Sequence, residues 1–159
     1  MHIKFLRDED FVNYKKCSMF IGAPSCTWKC CLEEGLSCNI CQNNPLAIQP
    51  TVDFPDATIV SRYINNDLSE AIVFGGLEPM DDFDELLALI SLFREKTDDD
   101  IVIYTGYYSN EISEKILKLK NFSNIIIKFG RYKPNNKPHR DELLGVDLAS
   151  DNQYAEKIS

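Results

Sequence analysis

Short apolar runs alternate with amphipathic helical patterns along this chain, and that alternation limits its fold more than any other feature. Apolar residues recur at helical spacing after Asp56, after Asp81 or Asp82, and after Ser109, each of which can cap a helix. The apolar runs predict strands at residues 17–22, 71–74, 101–104 and 125–127, with short outer strands at 2–6 and 143–148. Strands and helices in this order predict right-handed crossovers and an α/β fold with a mostly parallel sheet.

Turn-forming segments follow three of the predicted strands, at residues 22–26, 75–79 and 105–107. Because the C-terminal ends of parallel strands meet at one edge of a sheet, we expect these segments to lie on the same rim. Ligand sites of α/β proteins collect at that edge.

Size and charge limit the class of protein. A chain of 159 residues predicts a single domain, residues 1–159. The net charge of -8 argues against nucleic-acid binding, which needs clustered Lys and Arg. No apolar run approaches the roughly 20 residues of a membrane span, and residues 1–10 lack the apolar core of a secretory signal. We therefore expect a cytoplasmic protein without membrane contact, whose partner is a protein or a small molecule.

All six cysteines lie within residues 17–41. In a reducing compartment, cysteines so closely spaced indicate metal ligands or reactive thiols rather than disulfides. Cys17 is the expected exception, because it begins an apolar run and is predicted to act as a small buried hydrophobe.

The other five cysteines allow three kinds of site. Cys26 and Cys30 have the short spacing of two [4Fe-4S] ligands, and a cluster held by only three thiolates leaves one iron open to a small molecule. Cys26-x3-Cys30 followed by Cys38-x2-Cys41 is also a four-thiolate zinc pattern, which the cysteines alone favour slightly. The adjacent Cys30 and Cys31 would form a redox pair, but no Cys-x-x-Cys helix start accompanies them.

The segment Gly75-Gly76-Leu77-Glu78-Pro79 comes directly after a predicted buried strand. Its glycines let a ligand approach the backbone, Glu78 supplies a carboxylate suited to an ammonium group, and Pro79 fixes the turn. In isolation the segment is more typical of a plain strand-to-helix turn. Its place one crossover after the cysteines favours a binding site.

In their chain order, these motifs resemble the radical S-adenosylmethionine activases, and within them the anaerobic ribonucleoside-triphosphate reductase activating proteins. The resemblance covers residues 19–154, nearly the whole chain. The motifs that carry it are Phe20-Ile21-Gly22 leading to Cys26-x3-Cys30, Cys41-Gln42-Asn43, Phe74-Gly75-Gly76-Leu77-Glu78-Pro79, Ile103-Tyr104-Thr105-Gly106-Tyr107, Lys128-Phe129-Gly130-Arg131-Tyr132 and Ala149-Ser150-Asp151-Asn152-Gln153.

The resemblance implies a compact partial (β/α) barrel that binds a [4Fe-4S] cluster through Cys26, Cys30 and Cys41. The family's ligand pattern is Cys-x3-Cys-x2-Cys, but position 33 here is Glu. Cys41 is the best match for the third ligand because Asn43 follows it after one residue, as in the family. An apparent insertion within residues 31–40 then separates it from Cys30.

Two cysteines, Cys31 and Cys38, are spare under this assignment. Either of them is an alternative to Cys41 or a fourth ligand, and a fourth thiolate would close the cluster to further chemistry.

The resemblance also implies S-adenosylmethionine as a second cofactor, chelated to the open iron by its amino and carboxylate groups. The segment 75–79 is expected to contact its ammonium, and Trp28 is expected to shield the cluster or stack on adenine. The implied cofactor-binding residues are Gly75, Gly76, Glu78, Pro79, Thr105 and Trp28.

The implied activity is reductive cleavage of S-adenosylmethionine to a 5′-deoxyadenosyl radical, which removes hydrogen from a glycine of a glycyl-radical enzyme. The expected partner is the large subunit of an anaerobic ribonucleotide reductase, with flavodoxin or ferredoxin as electron donor. No side chain is assigned as catalytic, because the cofactors carry the chemistry. The alternative is a non-catalytic module that binds an iron-sulfur cluster or zinc, with the insertion as its recognition surface.

Overall fold

A six-stranded sheet forms the centre of the protein in a computed structural model that describes all 159 residues. The strands are β1 (His2–Ile3), β2 (Phe5–Asp10), β3 (Ser18–Gly22), β4 (Val52–Asp53), β5 (Ala71–Gly75), β6 (Asp100–Tyr104), β7 (Ile125–Phe129), β8 (His139–Asp141), β9 (Val146–Leu148) and β10 (Tyr154–Lys157). The α-helices are α1 (Lys29–Glu33), α2 (Asn44–Ala47), α3 (Asp56–Ile64), α4 (Phe83–Arg94) and α5 (Ser113–Leu119). None of the helices is both long enough and apolar enough to cross a membrane.

The strand order of the central sheet is β10-β7-β6-β5-β3-β2. The four inner strands β3, β5, β6 and β7 run parallel, as the alternation of strands and helices predicts. The outer strands β2 and β10 pair antiparallel with β3 and β7. Two-stranded pairs β1-β4 and β8-β9 lie apart from this sheet.

The expected compact partial (β/α) barrel with a mostly parallel sheet is wrong, because the sheet is open and mixed. A barrel closes only when its first and last strands hydrogen-bond to each other. Here the antiparallel strands β2 and β10 occupy the outer edges of the parallel block. The molecule is a small α/β fold with antiparallel edge strands.

The central strands are buried on both faces, which explains why they are continuous apolar runs. On one face, Ile72 and Phe74 belong to the larger core with residues of α3 and α4. On the other, Ala71 and Val73 pack with Tyr14, and with Leu144 and Leu148 from the segment that carries β9.

Differences from the expected elements are concentrated at the sheet edges and in the cysteine segment. The predicted strand at 2–6 is two strands, because β1 pairs with β4 whereas β2 pairs with β3. The predicted strand at 143–148 is shorter, and β10 was not predicted since its residues are mostly exposed and polar. Between β3 and β4 the chain forms α1, a 3-10 helix at Cys38–Ile40 and α2.

Candidate functional site

A small pocket lies at the C-terminal ends of the parallel strands, where the sequence places its turn segments on one rim. Backbone hydrogen bonds join these segments: Ala23 N–H donates to Gly75 O (2.8 Å), and Glu78 N–H donates to Ser25 O (2.9 Å). The residues that line the pocket are Cys26, Thr27, Lys29, Cys30, Glu78, Gly106, Tyr107 and Arg131. The pocket therefore brings together two of the three predicted metal ligands and the predicted carboxylate.

Trp28 lies between the two thiols of the pocket in sequence, and its backbone contacts one of them. Its φ of 60° is left-handed, and it is the N-cap of α1, which carries Cys30. The Trp28 N–H donates to Cys26 Sγ (3.3 Å). A non-glycine residue in this region costs about 1 kcal/mol or more, so the turn is held by its surroundings. The indole is half-buried and is not among the lining groups, and its role toward a cofactor stays a prediction.

Burial dominates the electrostatics of the two pocket thiols. It raises the pKa of Cys26 to about 12 and that of Cys30 to about 11, and the nearby charge of Glu78 adds to both shifts. Two thiolates beside a carboxylate are disfavoured in a buried site unless positive charge offsets them. Bound metal supplies such charge and deprotonates thiol ligands.

Cys31, Cys38 and Cys41 lie near one another within the same segment. Burial raises the pKa of Cys31, with further contributions from Cys41 and Cys38. Cys41, the predicted third ligand, is not among the lining residues of the pocket that contains Cys26 and Cys30. No three Cys, His, Asp or Glu side chains are arranged to hold a metal ion.

The cysteine thiols of this segment are ligands of the type that an iron-sulfur cluster needs. All six cysteines are free, and two thiols already share one pocket at the rim. Cys31 directly follows the pocket residue Cys30 in α1 and is close to Cys38 and Cys41. Because no three ligands are arranged together, binding through Cys26, Cys30 and one of the other thiols requires residues 31–41 to rearrange. The assignment of Cys41 stays a prediction.

Glu78 is a buried carboxylate held by three donors. Its Oε1 accepts hydrogen bonds from Thr105 Oγ1 (2.8 Å) and from the Met80 N–H (3.1 Å), and its Oε2 accepts one from the Gly106 N–H (2.8 Å). Burial nevertheless raises its pKa to about 7. The predicted residues Glu78 and Thr105 are thus in direct contact, and they join the ends of β5 and β6.

The other residues of the acidic-proline segment shape this rim. A Cβ at Gly75 would press on the ring of Phe20, and Gly76 has a φ of 78°, which a side chain disfavours. Pro79 begins a 3-10 helix at Pro79–Asp82, whose first turn Glu78 caps. These contacts account for both glycines and the proline structurally, and their contact with a cofactor stays a prediction.

An ion-pair network attaches α1 to the loop after β6. Arg131, 1% exposed, makes two hydrogen bonds to Glu111 (2.7 and 2.8 Å) and pairs with Glu33 of α1 (2.7 Å). Lys29 of α1 also pairs with Glu111 (2.7 Å). The guanidinium lies over the ring of Tyr108, 4.8 Å from its centroid. The network holds the helix that carries Cys30 against the pocket.

Sequence reasoning missed Arg131, which lines the pocket, and Lys128, a buried cation at the same rim. Both occur in a motif of the resemblance, but only Lys128 carried a separate signal, a lone cation inside the apolar strand β7. The partners of Arg131 are 20 or more residues away in sequence, and no local pattern indicates them.

Gly106→Ala is expected to impair cluster binding, because a Cβ at Gly106 would overlap Cys30 Sγ. Overpacking of this kind costs about 1–3 kcal/mol, and here it acts directly on Cys30, a predicted ligand. The measurement is iron and sulfide per chain after anaerobic reconstitution. Gly35→Ala is the control, since it adds the same methyl group in the cysteine segment with nothing within 4 Å, so that its only cost is backbone strain at a φ of 64° and not contact with a thiol. Equal iron content in the two variants would contradict the expected clash.

A family model described as "4Fe-4S single cluster domain" matches residues 16–153 of this chain. Searches of curated proteins and of solved structures found no match. The matched span includes all six cysteines, the segment 75–79 and the strands that position them. Together with a pocket that contains two free thiols, this match shows that the chain belongs to the family of 4Fe-4S single cluster domains.

Proposed function

We propose that this protein is a radical S-adenosylmethionine enzyme, an activase that installs a glycyl radical on an anaerobic ribonucleotide reductase in the cytoplasm. The observation that carries the proposal is the buried carboxylate of Glu78 in the same pocket as Cys26 and Cys30. An ammonium-accepting group beside two cluster thiols suits a ligand that reaches both. When bound, the reduced cluster would supply the electron that cleaves the sulfonium and yields the deoxyadenosyl radical.

Glu78 retains acceptor capacity for such a ligand. A carboxylate has about four acceptor positions, and Glu78 uses three of them for Thr105, Met80 and Gly106. Two of these three bonds involve Oε1, so Oε2 keeps one position free. Its fixed contacts orient the carboxylate before a ligand arrives, which reduces the entropy lost on binding.

Other residues of the pocket are proposed to position the cluster and limit its contact with water. Arg131 and Glu111 hold α1, and Gly106 provides the space that Cys30 Sγ occupies. Cys41 is proposed as the third ligand, and Gly75, Gly76, Pro79, Thr105 and Trp28 as further contacts of S-adenosylmethionine. The electron is proposed to come from flavodoxin or ferredoxin.

A second candidate function is a non-catalytic cluster-binding interaction module. The segment between β3 and β4 favours it, because Leu32, Ile40 and Ile48 are exposed there by 67%, 43% and 83%. An apolar surface beside the cluster thiols suits contact with another protein. A catalytic activase uses the same surface for its partner, so this observation alone does not separate the two functions.

Anaerobic reconstitution followed by addition of S-adenosylmethionine separates the two functions. The activase is expected to hold about four iron and four sulfide ions per chain and to change its electron paramagnetic resonance spectrum on addition. It is also expected to release 5′-deoxyadenosine under reduction. If the reconstituted cluster neither responds to S-adenosylmethionine nor forms deoxyadenosine, the activase is refuted and the interaction module is the supported function.

Glu78→Gln is expected to weaken S-adenosylmethionine binding while the cluster is retained. The substitution removes a charge-assisted hydrogen bond worth about 1.5–3 kcal/mol, which corresponds to roughly a tenfold to hundredfold increase in Kd. Titration of the spectral change with S-adenosylmethionine measures this Kd. Glu95→Gln, at the exposed residue that directly follows α4, is the matched control. An unchanged Kd in Glu78→Gln would argue against contact with the ammonium.

A further inference from the structure

Lys128 has fewer partners than any other buried charged residue of this protein. The buried charged side chains are Asp10, Glu78, Lys128 and Arg131. Asp10 pairs with Arg7 and accepts from backbone N–H groups, and the partners of Glu78 and Arg131 are described above. The Lys128 ammonium donates to one group, Gly130 O (3.0 Å), although it has three N–H donors. A buried cation without a charged partner is costly, which indicates a function for it.

The register of the sheet places Lys128 at the rim that carries the pocket. It lies near the end of β7, opposite Tyr104 of β6, and its carbonyl accepts from the Thr105 N–H (2.9 Å). Thr105 in turn binds Glu78. Lys128 therefore belongs to the same C-terminal rim as the thiols, two strands from the end of β5 that leads into Glu78, with β6 between them.

Charges of the pocket act on Lys128 directly. Burial lowers its pKa to about 8, whereas Cys30 and Glu78 raise it. The same proximity acts in reverse, because Lys128 favours the thiolate of Cys30. Because Lys128 and Glu78 are buried, a unit charge has a larger effect here than at the surface.

We propose that Lys128 is a charge-compensating residue that favours the reduced state of the iron-sulfur cluster bound at the neighbouring thiolates. Reduction transfers one electron from a one-electron donor to the cluster, lowers the formal oxidation level of its iron, and adds one negative charge to the site. No bond is formed or broken and no proton is required. The buried ammonium, at the same rim as Cys30, stabilises that added charge, so it raises the reduction potential. The inference rests on the cluster alone and does not require S-adenosylmethionine cleavage.

The competing explanation is structural. Lys128 also anchors the turn at Gly130, where the φ is 99° and Gln153 Nε2 donates to the same carbonyl (3.3 Å). If Lys128 serves only this turn, its replacement changes the free energy of unfolding. The reduction potential of a correctly assembled cluster then stays unchanged.

The test is the midpoint potential of the reconstituted cluster, without S-adenosylmethionine, titrated with dithionite and followed by visible absorbance and electron paramagnetic resonance. Lys128→Met removes the charge and keeps similar length, and Lys128→Arg keeps the charge. We expect Lys128→Met to lower the equilibrium constant for one-electron reduction at least about tenfold, a shift of about 59 mV to more negative potential. Lys128→Arg is expected to shift it by less than half of that amount.

Lys128→Gln provides a second neutral variant that can still donate to Gly130 O. A potential in Lys128→Met and Lys128→Gln equal to that of the wild type would overturn the proposal. Folded neutral variants that fail to assemble any cluster would overturn it as well, because Lys128 would then serve assembly. Absence of S-adenosylmethionine cleavage in the wild type would refute the proposed activity and leave this measurement unaffected.

Discussion

Replacing Cys41 with alanine is expected to abolish both cluster assembly and deoxyadenosine production, whereas Cys38→Ala is expected to retain both. A three-thiolate cluster that loses one ligand is left with two thiolates, Cys26 and Cys30, which do not hold it stably. Cys38 lies near Cys31 and Cys41, but under the proposed assignment it contributes no ligand. The measurements are iron and sulfide per chain and deoxyadenosine formed under reduction.

Cys17→Ala is the matched control, because Cys17 precedes β3 and its Sγ is 4.0 Å from Ser69 Oγ, outside the pocket. It is expected to behave as the wild type. Loss of the cluster in Cys38→Ala with retention in Cys41→Ala would move the third ligand to Cys38. A cluster retained in both variants would direct attention to Cys31, which directly follows Cys30 in α1.

This pair of variants also tests whether the cysteine segment rearranges. In the structure, Cys41 is grouped with Cys31 and Cys38 instead of lining the pocket with Cys26 and Cys30. A ligand role for Cys41 therefore requires the chain between α1 and α2 to move toward the rim. Short helices joined by turns, with few buried side chains, open locally at a low cost in free energy, which favours such movement.

The central sheet was predictable because buried parallel strands leave a strong local signal. Runs such as residues 71–74 and 125–127 are apolar at every position, since both faces of β5 and β7 are covered. The edges were not predictable in the same way. The residues of β10 are mostly exposed, so nothing in that strand's composition indicates that it would pair with β7 and leave the sheet open.

The same distinction, between features with a local sequence signal and features without one, applies to the candidate site. The sequence placed the segments of Cys26 and Glu78 at one rim, because each follows a recognisable strand, and the structure has Cys26, Cys30 and Glu78 in one pocket but not Cys41. The electrostatic surroundings could not be predicted, because they are contacts between distant residues. Lys29 and Glu111 are 82 positions apart, and only the folded sheet brings them together.

Arg131→Met is expected to destabilise the apo protein by about 3 kcal/mol, the largest stability effect among the variants proposed for this site. The side chain of Arg131 is 2% exposed and compensates two carboxylates, Glu111 and Glu33. Removing one member of a buried ion pair typically costs about 3–5 kcal/mol, and the lower end applies because both carboxylates are partly exposed. Urea unfolding of the cluster-free chain measures the loss.

The pH dependence of that loss identifies the ion pair as its cause. Hydrogen bonds from Arg131 lower the pKa of Glu111 in the folded protein. A carboxyl whose folded pKa is depressed adds stability above its unfolded pKa of about 4.3, and this stability is lost as the pH falls. The difference in the free energy of unfolding between the wild type and Arg131→Met is thus expected to have its full value at pH 7 and to shrink below about pH 4.

Arg140→Met, which breaks an exposed ion pair with Asp147, is the control, and it is expected to lower the free energy of unfolding by less than about 1 kcal/mol. A difference that persists unchanged at low pH would assign the stabilisation to the packing of Arg131 over Tyr108 instead of its charge.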